Sequence, residues 1–140
     1  MLNLEQQIQN EIQGYQGKHH ELIACAPYVF RWLMRILEDP ELPARLRPLV
    51  LVTIAYFLMP TDTISEDLTG PRGYLDDLFL SAMTADAIQR EMASGDLLER
   101  NWEGDGSILA LVRTILTQEK DLIGDQREVM LWYTGFEHLI

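Results

Sequence analysis

The sequence predicts an all-α protein: a compact bundle of about six helices in a single domain spanning residues 1–140. Three observations support this. Apolar residues recur three and four positions apart along most of the chain, which is the period of a helix face. Pro, Gly, Asp and Ser cluster only between those periodic stretches, where they break helices and form turns. At 47% hydrophobic and 24% charged residues, the composition suits a folded core without disulfides or a structural metal.

The elements follow in order. Leu4, Ile8, Ile12 and Tyr15 mark one face of a first helix whose other face is Gln and Glu, ending at Gly14 and Gly17. That weakly apolar helix suits loose docking or self-association. A second helix is expected from about His20 to Glu38, with a stripe of Ile23, Pro27, Phe30, Met34 and Leu37. Pro27 inside it predicts a kink or a later start. Glu41 to Met59 comes next, with Pro43 suited to a first helical turn and Pro48 to a kink or break. Beyond Pro48 this segment is apolar on all sides, which is the pattern of the central helix of a bundle.

Residues 60–74 are rich in Asp, Thr, Ser, Gly and Pro and read as a loop. A helix is expected from Tyr74 to about Ala93, stopped by Ser94-Gly95, and then a short turn between Asp96 and Trp102. Gly104-Asp105-Gly106-Ser107 offers a helix N-cap. Ile108, Leu111, Val112 and Ile115 then form a buried stripe. Gly124-Asp125 precedes a last helix carrying Val129, Trp132, Tyr133 and Phe136. The spacing of Trp132, Tyr133 and Phe136 fits core packing, and any part left exposed would be a partner or dimer interface.

Charge narrows the function. Eleven basic residues face 22 acidic ones, for a formal charge of -11. Such a chain repels the phosphates of nucleic acid and an anionic membrane surface. It favours cations, a basic partner or plain solubility. Cys25 is the lone cysteine, which suits a reducing cytoplasm and reads as a small buried hydrophobe. Met1 to Gln16 has neither the basic start nor the apolar segment of a signal peptide. The apolar run Leu49 to Met59 would span roughly 16 Å as a helix, about half a bilayer core, so no transmembrane span is expected.

The most distinctive stretch is Ala55-Tyr56-Phe57-Leu58-Met59-Pro60-Thr61-Asp62, followed by Gly73-Tyr74-Leu75-Asp76-Asp77. Here residues 47–86 resemble the YkvA-like family, whose signature is an apolar helix ending in Pro-x-Asp-x-x-Pro-Asp and then Gly-x-x-Asp-Asp opening the next helix. Pro60 and Asp62 match the first half, and Gly73, Asp76 and Asp77 the second. Ser65 and Glu66 depart from the usual Pro-Asp, Arg72 is atypical, and the loop is about one residue longer. The resemblance implies a small helical domain and no known reaction.

These residues have a structural reading. Pro60 ends a helix, Asp62 accepts turn N–H groups, and Gly73 can take a positive φ. Asp76 and Asp77 favour a helix N-terminus, where the dipole stabilises negative charge. A sharper reading is a divalent-cation site for Mg²⁺, Ca²⁺ or Mn²⁺ built from Asp62, Glu66, Asp76 and Asp77 in one acidic loop. No nucleophile elbow, phosphate loop or histidine-carboxylate metal motif is present. His19 and His20 read as exposed. The expectation is therefore a binding or scaffolding module with a protein partner or a second copy, not an enzyme. Two alternatives remain. One is a metal-dependent hydrolase using Asp62, Asp76 and Asp77. The other is peripheral membrane association through a hairpin of Leu49–Met59 and Leu75–Met83.

Overall fold

A computed structural model describes residues 3–58 and 73–136, apart from the side chain of Tyr133. Every regular element among them is helical, and no strand occurs. Helix α1 is Leu4–Ile12, opened by the Asn3 side chain, which accepts from the Gln6 N–H at 3.0 Å. It lies on α3 (Ala26–Glu38), burying Ile8 and partly burying Leu4 and Ile12. Arg31 of α3 reinforces the contact by donating to Glu5, and it also reaches Glu103 at 3.2 Å.

Pro27 acts as a helix start and not as a kink. It falls in the first turn of α3, where its missing N–H costs nothing. The residues before it make only a short α2, His20–Ile23. The buried side of α3 is Val29, Phe30, Leu33 and Ile36, with Trp32 donating its indole N–H to the Leu98 carbonyl at 2.9 Å. Met34 is exposed, so the stripe expected through it is displaced around the helix.

A 3-10 turn, Ala44–Leu46, leads into α4, Arg47–Leu58, with Pro48 in its first turn. Proline again marks a break between elements. Helix α5, Tyr74–Met92, is the axis of the bundle. It touches α2, α3, α4, α7 (Ile108–Thr117) and α8 (Glu119–Ile123), and each residue from Tyr74 to Ala85 is buried. This corrects the expectation that the Leu49–Met59 run is central. That helix flanks α5 and leaves one side to solvent.

The remaining helices close the bundle. Helix α6, Asp96–Arg100, is tied to the end of α3 because Asp39 accepts from Arg100 at 2.9 Å and from Asn101 at 2.9 Å. The Arg100 hydrogen bond holds the Asp39 carboxyl well below the usual carboxylate range. A depressed folded-state pKa contributes stability above the ordinary carboxylate pKa of about 4 and loses it as pH falls further. Ser107 caps α7 as its spacing suggests, accepting from the Ala110 N–H and donating to Glu99. The stripe of α7 is buried at Ile108, Val112 and Ile115 and only partly at Leu111. Helix α9, Arg127–Thr134, turns Met130 inward.

Candidate functional site at the α4–α5 pair

Helices α4 and α5 pack antiparallel, with a seam of polar side chains inside an otherwise apolar contact. At one end the Tyr56 hydroxyl donates to Asp76 Oδ2 at 2.9 Å. Further along, Thr53 Oγ1 donates to the Leu49 carbonyl at 2.9 Å and lies 2.6 Å from Thr84 Oγ1. Thr53 has one hydroxyl proton, so Thr84 is the donor in that second contact. Ser81 donates to the Asp77 carbonyl at 2.8 Å. Buried polar groups are costly unless satisfied, so this seam disfavours any sliding of one helix along the other.

Asp76 and Asp77 are 0% and 2% exposed, in the first turn of the most buried helix. The dipole at that end favours their charge. Around them, Phe57 packs edge-on against Phe30 at 5.6 Å and tilted against Tyr74 at 6.2 Å. The Tyr74 hydroxyl donates to Glu11, which ties α1 to the start of α5. Gly73 has φ -65°, an ordinary helical value, so the glycine is not there for a positive φ. Of the proposed cation ligands, Asp76 and Asp77 adjoin one another. Asp62, Glu66 and Pro60 lie outside the described residues. No group of three or more metal-ligating side chains occurs among the described residues.

The other side of α4 was not singled out by sequence. Between Pro48 and Leu58 the exposed residues are Pro48, Leu51, Ala55 and Leu58, spaced as one helical stripe. Leu51 is 49% and Leu58 48% exposed. The polar side chains of this stretch, Thr53 and Tyr56, point into the seam. From Pro48 to Leu58 the solvent face of α4 is thus apolar, whereas the outer face of a bundle helix is ordinarily polar. On α3, Phe30 lies against Phe57 and the Leu37 carbonyl accepts from Arg47. That register sets the exposed Met34 at the level of Leu51.

The aromatic stripe of the last helix divides. Phe136 is fully buried and offers no interface, while Trp132 is 80% exposed beside exposed Val129. Tyr133's side chain is outside the described residues. His19 is not exposed as expected: its side chain is 10% exposed, with Nε2 3.1 Å from Asp121 Oδ2. Cys25 is half-buried, and burial pushes its thiol pKa up, which makes it a poor nucleophile. The membrane hairpin loses an arm, because Leu75–Met83 is the buried axis of the bundle. Among the described residues no helix is long and apolar enough to cross a membrane.

Comparison with known proteins falls on the same helix pair. The chain is similar to an uncharacterized protein, ORF9, of Methanothermobacter thermautotrophicus, at 20% identity over 96% of this chain and 92% of that protein. No solved structure matches it significantly. Residues 47–83, from the first residue of α4 to the middle of α5, match the family described as Protein of unknown function (DUF1232).

Proposed function

We propose that this protein is a non-catalytic binding module of the cytoplasm and that α4 is its contact surface. The observation that carries this reading is the apolar outer stripe of α4, formed by Pro48, Leu51, Ala55 and Leu58. Single exposed leucines are common on protein surfaces, but a run of exposed residues from Pro48 to Leu58 without a polar side chain marks an interaction site. The stripe lies inside the segment that matches the family of unknown function. The test is a photoreactive amino acid at Leu51 in living cells, with one at Arg113, exposed on α7, as control. A protein adduct from position 51 and none from 113 is expected. No adduct from 51 would end the reading.

A second reading is favoured by the burial of Asp76 and Asp77. Two adjacent carboxylates in an apolar interior need strong compensation. The Tyr56 hydroxyl and the helix dipole contribute to it. A divalent cation held by Asp76 and Asp77 with Asp62 and Glu66 would be a structural ion that fixes the α4–α5 pair. Hydrolytic use of Asp62, Asp76 and Asp77 has less support, since Asp76 and Asp77 are enclosed by the bundle and a substrate needs an open position.

A further inference from the structure

We infer that the partner seated on α4 is a second copy of this chain, paired antiparallel through the same stripe; this rests on the reading of α4 as a contact surface. The stripe is self-complementary. Positions 48 and 58, and positions 51 and 55, are each symmetric about Thr53. Two copies related by a two-fold axis near Thr53 would set each Leu51 against the second copy's Ala55 and each Leu58 against its Pro48. Every leucine then meets a smaller residue, which is the knob-and-hole fit that lets helices approach to about 8–10 Å.

Charge selects the antiparallel direction. Arg47 is exposed at the N-terminal end of α4. Antiparallel pairing brings it to the C-terminal end of the second copy's α4, the negative end of that helix's dipole. Parallel pairing would set Arg47 against Arg47. Charge also favours this face over others for self-association. Each copy carries a formal charge of -11, and two such copies repel unless they meet where acids are missing. From Pro48 to Leu58 there is no charged residue. The stripe is roughly 15 Å long, small beside the ~800 Å² per partner of a standard interface. The dimer is therefore weak and reversible, with a Kd on the order of 10–100 µM.

Sedimentation equilibrium of the purified full chain, from about 1 to about 500 µM, tests this. The average mass should climb from 16.1 kDa towards twice that value. Leu51→Glu should stay monomeric with its thermal midpoint unchanged, and Leu58→Ser is a milder second variant expected to weaken pairing. Arg47→Glu should raise the Kd roughly tenfold. A dimer that survives both Leu51→Glu and Leu58→Ser would overturn the inference. So would a wild-type chain that stays monomeric throughout. If that monomer still gives an adduct at position 51 in cells, with a mass other than twice the chain, α4 remains a contact surface for a different protein. If it gives no adduct, both readings fall together.

Discussion

Leu49→Glu should cost the protein most of its stability, while Leu51→Glu, two residues further along the same helix, should leave the thermal midpoint almost unchanged. Leu49 is fully buried on the inner side of α4, and Leu51 is half-exposed on its outer side. A glutamate at position 49 must either lose hydration as an anion or take up a proton in an apolar site, at a cost exceeding ~4 kcal/mol. Against a total stability of about 5–15 kcal/mol, that is enough to unfold many domains of this size. At position 51 the carboxylate stays in water and costs within about 0.5 kcal/mol. Thermal unfolding followed by circular dichroism reads both. Similar losses in the two variants would mean that the outer stripe of α4 is part of the folded core and not a surface.

The second large effect is expected from divalent cations. In millimolar Ca²⁺, Mg²⁺ or Mn²⁺ against EDTA, an ion at about 100 times its Kd adds roughly 2.7 kcal/mol. For a domain of this length the midpoint should rise on the order of 5–10 °C. Asp76→Asn and Asp77→Asn should each abolish the rise, because either removes an anionic ligand while keeping the shape of the side chain. Asp76→Asn keeps a side-chain oxygen that can accept from the Tyr56 hydroxyl, so a lost ion response in that folded variant separates binding from packing. No rise in the wild type would leave the two carboxylates as helix-terminal groups compensated within the protein.

The helical class was legible because it depends on local spacing, and spacing is written in the sequence. Helix ends were legible wherever proline or a capping side chain set them, as at Pro27, Pro48 and Ser107. Which helix is central was not legible. The run from Leu49 to Leu58 is more apolar than α5, and composition alone puts it inside. The structure puts α5 inside: Ser81 satisfies its hydroxyl on the Asp77 carbonyl of its own helix and Thr84 on Thr53 of α4, so both can be buried. The excess apolarity of α4 then appears as an exposed face, a result of tertiary packing that periodicity cannot show. The same limit applied to the last helix, where one spacing placed both Phe136 and Trp132 on a stripe although the first is buried and the second is open. The place of Asp76 and Asp77 at a helix start was legible, but their depth follows from the helices packed around α5.

Solution NMR of leucine methyl groups with a soluble paramagnetic agent would show directly whether α4 presents a free apolar face that a second copy covers. In dilute protein the Leu51 and Leu58 methyls should broaden strongly and the Leu49 methyls should not. At high concentration the Leu51 and Leu58 broadening should fall, with Leu49 unchanged. Protection of Leu51 in dilute protein would contradict the exposed face, and broadening of Leu51 that is the same at every concentration would contradict its pairing.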